Sequence, residues 1–140
     1  MTIFGDGGTM KNPVSHFEIY ADDPDALARF YTSVFDWKVE EMPGNGNYKL
    51  VQTVDVDSQH AAKQPGGING GIMKRPDPKA PNIINYVSVE SLEGALDRAG
   101  QLGAKVMKEK AAVPGMGWFA ILSDPEGNPF ALWQPDRAAA

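Results

Sequence analysis

Hydrophobic and polar residues alternate along the first ordered segment of the chain. Over positions 14–21, apolar residues at 17, 19 and 21 alternate with His16, Glu18 and Tyr20. A period of two predicts a half-buried β-strand whose polar side chains share one face. The following Asp23-Pro24 predicts a helix start, because an Asp cap accepts backbone amide hydrogens and proline is tolerated in the first turn.

The pattern then changes to the spacing of a helix and returns to strands. Apolar residues at positions 27, 30, 31, 34 and 35 predict a helix with one apolar stripe. Strand-like segments follow at 37–41, 48–54 and 68–73, and the residues 43–47 (Pro-Gly-Asn-Gly-Asn) predict a hairpin turn. The first half therefore reads strand, helix and three strands.

The second half of the chain repeats this order. Ala26-Leu27-x-Arg29 recurs as Ala95-Leu96-x-Arg98, 69 residues later, behind another strand-like segment. Ser91 predicts the start of the second helix and Gly103 its end. Two copies are too few for a solenoid, so the repeat predicts one α+β domain built from two β-α-β-β-β modules around a cleft.

The predicted boundaries follow from turn-forming and proline-rich stretches. We expect residues 1–12 to form a flexible tail, residues 13–135 a single domain, and residues 136–140 a C-terminal tail. Within the domain, module 1 covers about 13–74 and module 2 about 82–135. The linker at 75–81 contains three prolines, which exclude a helix interior or a central strand.

Composition excludes several classes of partner and chemistry. A net charge of −5 argues against a nucleic-acid partner, which needs a basic face. The absence of cysteine excludes disulfides, thiolate nucleophiles and zinc–thiolate sites. No apolar run approaches the roughly 20 residues that span a membrane, and the N-terminus lacks the apolar segment of a signal peptide. We therefore expect a cytoplasmic protein.

Several motifs, in this order and spacing, resemble the vicinal oxygen chelate superfamily, which includes glyoxalase I, extradiol dioxygenases and the fosfomycin- and bleomycin-resistance proteins. They are the segment 16–24, Phe30-Tyr31-x-x-Val34-Phe35-x-Trp37, Gly70-Gly71, Trp118-Phe119-Ala120, and Asp124-Pro125-Glu126-Gly127-Asn128-Pro129-Phe130-Ala131-Leu132-Trp133. The resemblance implies two modules whose sheets curl around a shared cleft. Members of the superfamily are often dimers, and their modules pair either within one chain or across the dimer. We expect a homodimer, the commonest symmetric assembly, and leave both pairings open.

The resemblance also implies where a metal would bind. In metal-using members, four positions on the cleft strands carry His or Glu, and His16 matches the first. The second ligand position lies on the strand at 68–73, which contains neither His nor Glu. The third ligand position is Ile84 or Asn85, and the fourth is Ala131. A catalytic divalent metal needs about three protein ligands. We therefore expect no cofactor, with a divalent metal as the alternative.

His16 and Glu18 are the candidate catalytic pair. A histidine is a plausible general base, and a nearby carboxylate could orient it. As metal ligands they would supply two donors at most, since His60 lies in a predicted loop. No nucleophile or phosphate-binding loop accompanies them.

The candidate ligand-binding residues are those that the predicted alternation places on the cleft side of the strands. Aromatic side chains offer flat apolar area with a polar handle, and Gly70 and Gly71 would leave room for a ligand. The alternative is that each aromatic ring only fills core space. The candidates are Tyr20, Tyr86, Ser88, Trp118 and Trp133.

Together these features predict a protein that binds a small organic molecule without a catalytic metal. It could sequester a toxic compound, as the bleomycin-resistance proteins do. One alternative is a metal-dependent, glyoxalase-like lyase or isomerase, or a dioxygenase. Another is a non-catalytic interaction module whose cleft is filled by its own side chains.

Overall fold

A computed structural model describes residues 11–42, 45–58, 62–63 and 65–140. Most of the predicted N-terminal tail, Pro43 and Gly44 of the predicted hairpin, and His60 lie outside these ranges. The described chain forms two compact units, one holding His16–Ile83 and the other Asn12–Ser15 with Ile84–Ala140. Within the described ranges, no helix is long and apolar enough to cross a lipid bilayer.

The first unit has the predicted order of strand, helix and three strands. Its elements are β1 (Val14–Ala21), α1 (Pro24–Val34), β2 (Lys38–Met42), β3 (Asn45–Gln52) and β4 (Asn69–Lys74). The strands lie in the order β2-β3-β4-β1, with β1 parallel to β4 and the other neighbours antiparallel.

The second unit repeats that order with β5 (Ile83–Ser88), α2 (Leu92–Gln101), β6 (Lys105–Val113), β7 (Gly117–Ser123) and β8 (Pro129–Pro135). Its strands lie in the order β5-β8-β7-β6, and again the first strand is parallel to its neighbour. The predicted α+β class with two β-α-β-β-β modules is confirmed. The expected cleft between the modules stays a prediction.

Both helices begin where the sequence predicts. The Asp23 carboxylate accepts the Ala26 amide at 3.1 Å, and the Ser91 hydroxyl accepts the Gly94 amide at 3.0 Å. Each contact satisfies one amide that the first helical turn leaves without a backbone partner. Gly103 follows α2 with a φ of 102°, a conformation that glycine adopts without strain.

Each unit has a hydrophobic core between its helix and one face of its sheet. In the first unit, Phe17 and Ile19 pack with a buried cluster that includes Ala28, Val51 and Ile72. The predicted alternation in β1 is confirmed, because His16, Glu18 and Tyr20 must then lie on the opposite face. Only part of the apolar stripe of α1 packs against the core. Leu27 and Tyr31 contact the buried cluster, whereas the side chains at 30, 34 and 35 are exposed.

Two described segments outside the strands and helices are held by hydrogen bonds. In the proline-rich stretch, the Arg75 side chain donates to Asp22 and Asn82, each at 3.0 Å. At the C-terminal end, the Gly115 amide donates to the Ala139 carbonyl at 2.9 Å. Ala139 is buried. Ala139 therefore packs against the connection between β6 and β7.

Candidate functional site

Four side chains form a polar cluster on the helix-free face of the first unit. The Tyr48 hydroxyl donates to Glu18 Oε2 at 2.9 Å and lies 2.9 Å from His16 Nε2. The Tyr20 hydroxyl donates to Glu18 Oε1 at 3.3 Å. His16 Nε2 is 4.0 Å from Glu18 Oε2. The structure therefore brings together the predicted pair, His16 and Glu18, with the predicted Tyr20, and adds Tyr48, which the sequence analysis missed.

Strand register explains why Tyr48 reaches this cluster. Tyr48 on β3 pairs with Met73 on β4, and Met73 pairs with Tyr20 on β1, so all three share a face. The Tyr48 ring extends across β4 at Gly71, the register partner of Glu18. A Cβ atom at position 71 would collide with the Tyr48 hydroxyl and lie 2.6 Å from the ring atom Cε1. Gly71 thus lets Tyr48 cross its strand to reach Glu18.

The two adjacent glycines therefore have a different role from the one expected. A Cβ atom at Gly70 would meet the Phe17 carbonyl and approach its ring to 2.7 Å. Close approach of neighbouring protein atoms is a common reason for glycine inside a strand. The expectation that Gly70 and Gly71 leave room for a ligand was wrong, because Phe17 and Tyr48 occupy that space.

Burial shifts the pKa values of His16, Tyr20 and Tyr48. Glu18 and Tyr20 are each 7% exposed, and the His16 side chain is 32% exposed. Burial lowers the pKa of His16 to about 4, so the imidazole is neutral at pH 7. Burial, followed by the charge of Glu18 and the hydrogen bonds to it, raises the pKa of Tyr20 and of Tyr48. Both hydroxyls therefore keep their protons and donate hydrogen bonds to Glu18.

The second unit has an aromatic and polar set on its own helix-free face. Tyr86 pairs with Ala131, and Ser88 pairs with Trp133, in the parallel β5–β8 ladder. Phe119 is the register partner of Trp133 on β7, and its ring centroid lies 6.4 Å from that of Tyr86. The structure thus places the predicted Tyr86, Ser88 and Trp133 on one face, where Phe119 joins them.

Trp118 lies on the opposite, helix-facing side of β7. It packs with Leu92 of α2, together with Ala120 and Leu122, and its indole nitrogen donates to the Asp136 carboxylate at 2.9 Å. The expectation that Trp118 lies on the cleft side of its strand was therefore wrong. The physical reason is that Trp118, Ala120 and Leu122 form the apolar side of β7 that α2 covers. The sequence could have indicated this placement, because Trp118 and Ala120 lie at the same strand period as the apolar Leu122. The same period places Phe119 on the other face of β7.

The described residues do not fit the metal that the superfamily resemblance implies. Within the ranges that the structure describes, no three His, Cys, Asp or Glu side chains come together as a metal site would need. The first unit contributes His16 and Glu18, and His16 Nε2 is already within hydrogen-bond distance of Tyr48. In the second unit, Ile84 and Ala131 are buried apolar residues. Two donors fall short of the usual three.

Comparison with known proteins agrees with this architecture. The family model described as a glyoxalase-like domain matches residues 16–133, which include both predicted modules almost entirely. The chain belongs to the glyoxalase-like domain family. The superfamily resemblance of its motifs is thereby confirmed.

One curated relative of this glyoxalase-like chain is the Mycobacterium tuberculosis protein CFP32, whose name provisionally calls it a glyoxylase. It is 30% identical over 135 residues, an alignment that covers 92% of this chain and 48% of the relative. The chain therefore spans about half the length of that relative.

Two solved structures share the glyoxalase-like fold at low sequence identity. A glyoxalase/bleomycin resistance protein/dioxygenase superfamily member from Vibrio splendidus matches with a TM-score of 0.57 and 15% identity, over 84% of this chain and 95% of that one. Methylmalonyl-CoA epimerase from Streptomyces coelicolor, in complex with 2-nitronate-propionyl-CoA, matches with a TM-score of 0.62 and 12% identity, over 92% and 98%. At these identities the likeness establishes the fold alone.

Proposed function

We propose that this protein binds a small organic molecule on the helix-free face of its first unit, without a catalytic metal. The polar cluster of His16, Glu18, Tyr20 and Tyr48 supplies the contacts. The observation that carries the proposal is the nearly buried Glu18 carboxylate, which both tyrosine hydroxyls hold in one orientation. Its chemistry suits a ligand with a hydrogen-bond donor or a positive charge.

The cost of burying Glu18 supports a role in recognition. Removing a carboxylate from water costs several kcal/mol, a cost that its hydrogen bonds have to offset. An apolar residue at this β1 position would stabilise the sheet face more simply. Titratable groups held in this way occur preferentially at functional sites.

The properties of His16 favour binding over general-base catalysis. An efficient general base has a pKa near the working pH. Burial brings the pKa of His16 to about 4, so at pH 7 the imidazole is neutral but weakly basic. It therefore suits a hydrogen-bonding contact at the accessible edge of the cluster.

Ligand screening with matched variants tests the proposal. Thermal-shift assays would use the full chain, a panel of organic amines and planar aromatic compounds, and the variants Glu18→Gln and Glu126→Gln. Glu126 lies exposed in the turn before β8 and serves as the control. A compound that raises the melting temperature of wild type and Glu126→Gln, but not of Glu18→Gln, supports the proposal. Equal stabilisation of all three proteins, or none from any compound, contradicts it.

The enzymatic alternative has its own assay. A glyoxalase-like lyase or isomerase would convert the hemithioacetal of methylglyoxal and a thiol, and His16→Gln would abolish that activity. A dioxygenase or metal-dependent lyase would retain a stoichiometric divalent ion after dialysis. Either result would replace the binding proposal. Light scattering tests the predicted homodimer, and fractionation of cells tests the predicted cytoplasmic location.

The second unit offers a further set of contacts that can be tested separately. Trp133 and Phe119 share the helix-free face of that unit, whereas Trp118 faces α2. If this face takes part in binding, Trp133→Phe lowers affinity for a compound found in the screen, and Trp118→Phe does not. The reverse pattern would exclude this face.

A further inference from the structure

The direction of the hydrogen bonds in the polar cluster determines the tautomer of His16. A tyrosine hydroxyl has one proton, and Tyr48 donates that proton to Glu18 Oε2. The Tyr48 oxygen can therefore interact with His16 Nε2 only as an acceptor, so Nε2 must carry the imidazole proton. Because the imidazole is neutral, Nδ1 then carries the lone pair.

We propose that Tyr48 is a positioning residue that holds His16 as the Nε2-protonated tautomer and closes the His16–Glu18 pair to divalent cations. The hydroxyl lies 2.9 Å from an atom of each partner, between two side chains that a bridging ion would have to contact. A histidine binds a metal through an unprotonated nitrogen. Because Nε2 is protonated and directed at Tyr48, it cannot act as a metal ligand beside the Glu18 carboxylate.

The backbone supports this role of Tyr48. The ring crosses β4 only because position 71 has no Cβ atom. Gly71 on β4 and Tyr48 on β3 together therefore place the Tyr48 hydroxyl. Tyr20 gives a contrast within the same cluster, since it donates to the other oxygen of Glu18. This tautomer belongs to the protein before any ligand binds, and it does not depend on the ligand's identity.

Nitrogen NMR of the histidine rings tests the tautomer directly. The chain has two histidines, so the His16 signals are assigned by their loss in His16→Gln. In wild type we expect the Nε2-protonated pattern at pH 7. Tyr48→Phe keeps the ring but removes the acceptor, so the tautomer preference is lost, whereas Tyr20→Phe keeps it. A wild-type pattern with the proton on Nδ1 would overturn the inference, as would an identical pattern in all three proteins.

Cobalt titration tests the closure to cations. Paramagnetic Co²⁺ bound at His16 would broaden its ring signals, and we expect no broadening in wild type or Tyr20→Phe at equimolar Co²⁺. Broadening of the wild-type signals, absent in Glu18→Gln, would show that the pair binds an ion despite Tyr48 and would refute the proposal. If Tyr48→Phe fails to fold, as judged by circular dichroism, the wild-type tautomer and the wild-type cobalt titration still give the answer.

Discussion

Replacing Gly71 with alanine tests whether this glycine is needed for Tyr48 to reach its partners. The new methyl group would occupy the space of the Tyr48 hydroxyl and ring edge. The rigid β4 backbone cannot retreat far, so the tyrosine ring has to swing away. Its hydrogen bonds to Glu18 and His16 are then lost, although neither partner has been changed.

The expected cost follows from those two contacts. A hydrogen bond to a charged group contributes about 1.5–3 kcal/mol and one between neutral groups about 0.5–1.5 kcal/mol. Replacing glycine by alanine in a strand returns about 0.5–1 kcal/mol, because the unfolded chain has less freedom to lose. The free energy of unfolding of Gly71→Ala should therefore fall by about 1–4 kcal/mol.

Urea unfolding of matched variants measures this change. Gly100→Ala in α2 is the control, because a Cβ atom there meets nothing within 4 Å. It should gain about 0.5–1 kcal/mol from helix propensity. In a Tyr48→Ala background the obstructing ring is absent, so Gly71→Ala should be neutral or slightly stabilising. The two substitutions are thus expected to be strongly non-additive.

Two results would refute the reasoning about Gly71. The first is an unfolding free energy of Gly71→Ala equal to that of wild type, which would mean that the ring has another place to go without loss. The second is the same destabilisation with and without the Tyr48 ring, which would locate the cost in the strand backbone.

Three further predictions concern the core, a helix cap and pH. Leu122→Ala, at a fully buried side chain, should cost about 3–5 kcal/mol in urea unfolding, whereas Leu102→Ala, at an exposed one, should stay within about 0.5 kcal/mol; similar costs would contradict the assigned core. Ser91→Ala should cost about 1 kcal/mol and Ser91→Gly a few tenths, because glycine is tolerated at a helix N-cap; equal costs would argue against the capping contact. Since the pKa of His16 drops from 6.5 to about 4 on folding, the unfolded chain binds more protons between those values, so stability should fall as pH is lowered from 6.5 to 4. The slope is at most about 1.4 kcal/mol per pH unit, reduced by the partial exposure of the ring, and it should be shallower in His16→Gln; parallel curves for the two proteins would contradict it.

Local signals in the sequence predicted the elements well. Asp23 and Ser91 cap the two helices as expected, because a cap depends on a side chain and the amides two or three residues away. The alternation in β1 placed His16, Glu18 and Tyr20 together, since successive strand side chains point to opposite faces whatever the sheet contains. The repeated order of elements was similarly readable from hydrophobic periodicity.

The candidate site depends on contacts between distant strands, which the hydrophobic periodicity of the sequence does not specify. Tyr48 joins Glu18 only through the register of β3 on β4 and β4 on β1, which pairs residues 19 or more positions apart. Trp118 lies on the face opposite to the expected one because the side of β7 that α2 covers depends on packing. A one-residue choice reverses the direction of every side chain of a strand. Local chemistry in the chain therefore specified which strands and helices form and which residues of β1 share a face. Pairing between distant strands specified which tyrosine completes the cluster, because a hydrogen bond depends on positions in space that residue spacing alone leaves open.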